Sequence, residues 1–143
     1  MKVLDIMTPN PHHVMDGDTA AHLDEIMSKH NVRHIPVVDA KDRLVGVVSN
    51  RDLLAKLPPS FTTLPVEERK YYLELIRMSD FMVREPIVVN ESTDLLDAVR
   101  KMLDKKVGSL PVVDDSRRLV GIVTGGDFLK ALTWVLEGSR PIH

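Results

Sequence analysis

The sequence predicts a mixed α/β fold of the α+β kind, two β-α-β-β-α units packed about a pseudo-twofold axis. Three observations carry this expectation. First, Ile35-Pro36-Val37-Val38-Asp39, a polar turn and Leu44-Val45-Gly46-Val47-Val48-Ser49 return 75 residues later as Leu110-Pro111-Val112-Val113-Asp114, a turn and Leu119-Val120-Gly121-Ile122-Val123-Thr124. Second, residues 3–57 and 78–132 align at that offset without a gap, sharing 18 identities in 55 positions. Such repetition marks a duplication and sets the architecture before any element is assigned. Third, within each copy the apolar pattern passes from helical spacing to β-rich runs in the same order.

Each copy opens on a short apolar strand after a proline, His12-His13-Val14-Met15 behind Pro11 and Ile87-Val88-Val89 behind Pro86. An amphipathic helix follows. Ala20, Leu23, Ile26 and Met27 recur at three- and four-residue spacing behind Asp18, as do Leu95, Ala98, Val99, Met102 and Leu103 behind Ser92-Thr93-Asp94. The runs Ile35–Asp39 and Leu44–Ser49, like Leu110–Asp114 and Leu119–Thr124, read as hairpins across four polar residues. Pro36 and Pro111 cannot donate to a ladder, which places them at a strand start or an edge. A short helix, Asp52–Leu57 or Asp127–Leu132, closes each unit.

Three segments result: a first repeat at 1–57, a proline-rich linker with an inserted helix at 58–77, and a second repeat with a helical extension at 78–143. Pro58, Pro59 and Pro65 punctuate the linker. The helix expected over Val66–Met78 has acids leading, bases following, and Tyr72, Leu75 and Ile76 as its apolar stripe. The last helix should run on to Gly138, carrying Trp134 to a partner chain or onto the core.

The bulk properties exclude several classes. Net charge is −2, and the acids and bases are interleaved, so there is no basic face of the kind nucleic acid requires. With no cysteine there is neither a disulfide framework nor thiolate chemistry, and the amino terminus has no signal-peptide run; a reducing cytoplasm is the expected home. The longest apolar runs are far too short to span a membrane. Six histidines invite a metal reading, but His12 and His13 alternate across a strand, and His22 and His30 lack an acid at ligand spacing. No nucleophile-base pair, phosphate loop or catalytic carboxylate pair is readable, so no enzyme and no metal is expected.

The copies agree most closely at Gly46-Val47-Val48-Ser49-x-x-Asp52 and Gly121-Ile122-Val123-Thr124-x-x-Asp127. A hydroxyl followed three residues on by an acid, at a strand-to-helix junction, has two readings. One is a capping box, in which side chains satisfy the orphan N–H groups of the helix start. The other is a ligand site, where a carboxylate accepts from vicinal sugar hydroxyls beside a helix amino terminus. Gly125-Gly126 fits either backbone room beside a ligand or a tight strand-to-helix turn.

Taken together, these motifs resemble the cystathionine-β-synthase (CBS) domain, and the pair resembles a Bateman module. The likeness rests on Asp5-Ile6-Met7-Thr8-x-x-Pro11 and Asp80-Phe81-Met82-x-x-x-Pro86, on Pro-Val-Val-Asp at Pro36 and Pro111, and on both Gly-x-x-Ser/Thr-x-x-Asp signatures. The spacing and inserted helix are also similar to the tandem of acetoin-utilisation-type proteins. The resemblance implies a regulatory module that holds adenosine nucleotides (AMP, ADP or ATP) in clefts between its repeats. By position it puts Asp52 and Asp127 on ribose, and Ser49, Asn50, Arg51, Thr124, Gly125 and Gly126 along ribose or phosphate. It also implies that Arg33 and His34, where the second copy has Gly108-Ser109, reach the phosphates of the nucleotide held by Asp127. A homodimer or a separate effector protein would read the occupancy. The alternatives are a ligand-free dimerisation module, or a sensor of S-adenosylmethionine, NAD or a polynucleotide.

Overall fold

The computed structural model describes residues 1–139. In chain order they form β1 (Thr8–Pro9), β2 (Val14–Met15), α1 (Ala20–His30), β3 (His34–Val38), β4 (Leu44–Ser49), α2 (Asn50–Lys56), α3 (Val66–Glu74), β5 (Val83–Arg84), α4 (Leu95–Lys105), β6 (Ser109–Val113), β7 (Leu119–Thr124) and α5 (Gly125–Glu137). Single 3-10 turns lie at Val3–Asp5, Phe61–Thr63 and Met78–Asp80. The chain divides into two compact units: a central one, His12–Glu85, and a split one built from Met1–Pro11 and the chain from Pro86 onward. The cuts differ from the repeat boundaries at 57, 58–77 and 78. Each copy's opening segment, with its Asp-x-Met motif, belongs to the compact unit of the other copy.

In the central unit the sheet order is β2-β3-β4-β5, with β2 parallel to β3 and the other pairings antiparallel. The β3–β4 hairpin turns through Asp39, whose Oδ1 accepts from the N–H groups of Lys41 (2.8 Å) and Arg43 (3.0 Å) while Oδ2 takes the Arg43 guanidinium at 3.0 Å. Asp42 adopts the left-handed backbone (φ 61°) that closes the turn. Pro36 stands third in β3, within the strand rather than at its start. It is tolerated because the parallel ladder to β2 begins only at Val37, so no donor is missing. The first strand is accordingly two residues long, shorter than the four the sequence suggested.

α1 buries Ala20, Leu23 and Met27 against Ile35, Val37 and Val48. It ends at Asn31, whose left-handed conformation (φ 52°) returns its N–H to the Met27 carbonyl. The inserted helix α3 is shorter than its apolar spacing predicts. It stops at Glu74 because the next backbone is recruited elsewhere: Ile76 O accepts from Ala20 N at 2.7 Å, and Arg77 bridges Thr19. That ending turns Leu75 out to 66% exposure and puts Leu73, with the fully buried Met78, into the core in its place.

The split unit repeats the plan with sheet order β1-β7-β6. Asp114 accepts from Ser116 N, Arg118 N and the Arg118 guanidinium at 2.9, 2.9 and 3.1 Å, as Asp39 does, and Arg117 takes the left-handed turn position. Of the predicted strand Ile87-Val88-Val89, only Val89 bridges β6, accepting from Val113 N and donating to Pro111 O. α4 packs Leu95, Ala98 and Met102 on a core of Val3, Val89, Leu110, Val112 and Val123. Leu103, placed on that stripe by spacing, is instead 71% exposed, as is Leu96 on the same helix at 59%. α5 runs on to a left-handed Gly138, as the glycine stop predicts, and Trp134 packs against the core of this unit.

The exchanged opening segments explain the motif glycines. β1 pairs with β7 at Pro9↔Gly121, and β5 with β4 at Arg84↔Gly46. A Cβ on Gly121 would lie 2.7 Å from Met7 Sδ, and one on Gly46 would lie 2.9 Å from both Met82 Sδ and the Val83 carbonyl. Asp5 and Asp80 anchor the same segments by accepting from the N–H groups of Lys2 (2.7 Å) and Arg77 (3.0 Å). The Asp-x-Met and Gly-x-x-Ser/Thr motifs are therefore packing partners. Among the described residues no helix is long and apolar enough to cross a membrane.

Candidate functional site

Each unit ends its hairpin in a strand-to-helix junction, and each junction gathers a hydroxyl and a carboxylate. In the central unit Ser49 caps α2. The Asp52 N–H donates to Ser49 Oγ at 3.1 Å, while Ser49 N and Ser49 Oγ both donate to Asp52 Oδ2, at 2.8 and 2.9 Å. The reciprocal pattern is a capping box, worth about 1 kcal/mol in helix stability. It consumes one carboxylate oxygen. Asp52 Oδ1 accepts none of these bonds, and the bonds on Oδ2 fix its direction, leaving a preorganised acceptor at the half-buried end of β4. Capping therefore occupies one oxygen of this side chain and leaves the other outside those bonds.

In the split unit Asp127 Oδ2 accepts from Thr124 N at 2.8 Å and, more loosely, from Thr124 Oγ1 at 3.3 Å. The second distance is long for an O–H···O bond. Thr124 and Asp127 form the same reciprocal capping box on α5, with a longer hydroxyl–carboxylate contact than Ser49 makes. Gly125 and Gly126 form the exposed first turn of α5. Neither has a left-handed φ, so no tight turn demands glycine there. A Cβ on Gly125 would meet nothing within 4 Å, and one on Gly126 only Thr124 Oγ1 at 3.8 Å. Internal packing does not require these glycines, which leaves open backbone beside Asp127.

The neighbours of the two junctions differ. His34 is the direct cross-strand partner of Ser49, so the two side chains share a face, and Asn50 N donates to Arg33 O at 2.9 Å to continue the ladder. Arg33, His34, Ser49, Asn50, Arg51 and Asp52 thus come together in the central unit. Arg33 and Arg51 are exposed, and His34 is half-buried. Burial holds the His34 imidazole below its ordinary range; the Asp52 carboxylate pushes it up and Arg33 pushes it down again. In the split unit the partner of Thr124 is Ser109, only 7% exposed. The repeat offset makes Ser109 the counterpart of His34.

His12 stacks on His30, with ring centroids 3.7 Å apart and 15° between planes. Among the described residues no three His, Cys, Asp or Glu side chains are grouped to hold a metal ion.

The family model for the CBS domain matches this chain twice, at residues 3–59 and 78–133. Among solved structures, CBSX2 from Arabidopsis thaliana superposes with a TM-score of 0.82 at 34% identity, covering 95% of this chain and 96% of that one. A second structure of CBSX2, in complex with AMP, gives a TM-score of 0.77 over 94% and 98% of the two chains, also at 34% identity. The putative acetoin utilization protein AcuB from Vibrio cholerae gives 0.79 at 33% identity over 96% and 95%. The CBS domain pair of protein MJ0100, in complex with 5′-methylthioadenosine and S-adenosyl-L-methionine, gives 0.74 at 26% identity over 93% and 96%. The chain spans 61% of the full length of curated CBSX2, to which it is 35% identical. With both repeats matched and the α+β architecture shared along nearly the whole chain, this protein belongs to the CBS-domain family as a tandem CBS pair.

Proposed function

We propose that this chain is a regulatory ligand-sensing module that binds an adenosine nucleotide (AMP, ADP or ATP) and catalyses nothing itself. Asp52 and Asp127 accept from ribose hydroxyls. Ser49, Asn50, Arg51, Thr124, Gly125 and Gly126 line the ribose and phosphate, and Arg33 with His34 borders the phosphate end. The observation that carries this reading is the divided use of Asp52: one oxygen is pinned by the capping bonds, and the other lies outside them. A neutral diol meeting such a carboxylate gains charge-assisted hydrogen bonds, each worth about 1.5–3 kcal/mol. The AMP complex of CBSX2, at 34% identity, supports a nucleotide as the ligand. The MJ0100 complex favours a second reading, in which the ligand is S-adenosylmethionine or 5′-methylthioadenosine. The two readings share the adenosine and differ in the 5′ substituent.

Occupancy must be read by a second body, because a ligand shifts an equilibrium only by its differential affinity for two states. We assign that role to a homodimer or a separate effector. The exposed apolar residues Leu96 and Leu103 on α4, with Leu129, Leu132, Val135 and Leu136 on α5, supply the surface. The test is a melting panel with AMP, ATP, S-adenosylmethionine, 5′-methylthioadenosine and NAD. A true ligand at a hundredfold excess over its Kd stabilises by about 2.7 kcal/mol, and the combined change Asp52→Ala with Asp127→Ala abolishes the shift. A module that only dimerises melts at one temperature throughout.

A further inference from the structure

The chain has seven methionines and no cysteine, so every sulfur it offers to an oxidant is a thioether. Two of them are placed alike by the repeat. Met7 and Met82 each stand two residues after the aspartate of an exchanged opening segment, and each lays its sulfur against the glycine of the strand that the segment joins. Met7 Sδ lies 2.7 Å from where a Cβ on Gly121 would stand, and Met82 Sδ lies 2.9 Å from the same point on Gly46. The two differ in access: Met82 is 8% exposed, whereas Met7 is half-buried. We propose that Met7 is a site of oxidation by hydroperoxides, and that its sulfoxide releases β1 from β7 while Met82 stays reduced. Such a site is independent of what the junctions bind.

At this seam the thioether is itself the packing. Gly121 has no side chain, and the Met7 sulfur crowds the space its Cβ would take, with Met7 Cγ 3.3 Å from the same point. A hydroperoxide reaching the open side of Met7 receives the sulfur lone pair on its terminal oxygen. The S–O bond forms as the O–O bond breaks, the hydroxyl proton passes to the departing oxygen, and water or an alcohol leaves. Sulfur is oxidised by two electrons and the peroxide is reduced by two. A flexible apolar group has become a polar sulfoxide. Drawn toward water, it leaves the glycine bare, and the atoms that lined the seam lose their contacts. The ladder that remains is short: Thr8 pairs with Ile122 and Pro9 with Gly121, and Pro9 has no N–H to give. The Asn10 N–H adds one bond, to Val120 O at 3.2 Å. The other accessible thioethers are placed differently. Met1 and Met15 are 47% and 42% exposed, so an added oxygen there meets water. Met102 is a half-buried side chain of α4, a helix of 11 residues that also packs Leu95 and Ala98 on the core.

The probe is hydrogen peroxide on the full chain, with mass mapping of each methionine and hydrogen exchange of the opening segment Met1–Pro11 before and after treatment. Met1, Met7 and Met15 should gain oxygen ahead of Met27, Met78 and Met82, and exchange in the opening segment should speed up about tenfold or more. The two methionine sulfoxide reductases, one for each epimer, should restore slow exchange. Met7→Leu keeps an apolar side chain without sulfur and removes the acceleration, whereas Met102→Leu retains it. Where Met7→Leu does not fold, the time course takes its place: exchange rises in step with sulfoxide at Met7 and not with that at Met1, Met15 or Met102. Met7 left reduced under conditions that convert Met1 and Met15, or Met82 oxidised as fast as Met7, overturns the site. Sulfoxide at Met7 with unchanged exchange, or an acceleration that survives Met7→Leu, overturns the release of β1.

Discussion

Replacing Gly46 with alanine adds one methyl group at a crowded point of the central sheet. The built Cβ lies 2.9 Å from the Val83 carbonyl oxygen, 2.9 Å from Met82 Sδ and 3.2 Å from Met82 Cγ. The methionine can rotate, but the carbonyl cannot, because Val83 is held in register opposite Val47 and Met82 N is tied to Met78 O at 2.9 Å. Strand β5 must therefore move away from β4. Overpacking of this kind costs about 1–3 kcal/mol, partly offset by about 0.4–1 kcal/mol from the reduced freedom of the unfolded chain. Gly46 has no left-handed φ, so the backbone itself accepts alanine and the steric term stands alone. The net expectation is a loss of about 1–2 kcal/mol. The matched change Gly121→Ala meets the Thr8 carbonyl at the milder distance of 3.1 Å, with Met7 Sδ, a flexible side-chain atom, as its closest contact at 2.7 Å. It should cost less. Urea unfolding decides it: the midpoint drops at constant slope in both variants, further in Gly46→Ala. Wild-type stability in Gly46→Ala, or the reverse order of the two, would refute the argument that the exchanged segment makes glycine obligatory.

Other perturbations follow from the same reasoning. Lys106 caps α4 with φ 55°, a conformation that glycine enters without strain, so Lys106→Gly should stabilise the chain by about 1 kcal/mol in urea unfolding. The Asp114 carboxyl is held below its ordinary range by the N–H of Arg118, against desolvation, with Ser116 N–H and the Arg118 guanidinium adding to the effect. Its contribution is complete above the unfolded-state value near pH 4 and is lost as pH falls through the lower folded value, so Asp114→Ala should narrow the acid-induced loss of stability in a pH series of melts. The His34 ring has a folded pKa below its unfolded one, which makes stability fall as pH drops through about 6.5 toward the folded value; His34→Ser should shallow that decline. Leu129→Lys places a charge on the exposed face of α5, where the side chain is 65% exposed, and should shift sedimentation toward the monomer.

Much of the site was legible because its chemistry is local. Ser49 and Asp52, or Thr124 and Asp127, lie three residues apart, and a helix start makes that spacing a contact whatever surrounds it. The hairpins were legible for the same reason, with Asp39 and Asp114 capping turns inside their own loops. What the spacing of Val66–Met78 could not tell was where α3 ends, since the Ile76 carbonyl is claimed by Ala20, far away in sequence. Nor could it tell that Leu103 faces outward on α4, because helical periodicity defines a stripe but not its width.

The duplication, the order of elements and the paired hydroxyl-carboxylate junctions belong to the sequence by itself, because they depend on periodicity and short-range spacing that every residue carries with it. The exchange of opening segments belongs to the tertiary structure. The two copies are alike enough that Thr8–Pro9 could pair with either glycine-bearing strand by pattern alone, and only the path of the folded chain selects β7. The same holds for the inequality of the two junctions: only the hairpin register sets His34 opposite Ser49 and Ser109 opposite Thr124, and so gives the two junctions different neighbours.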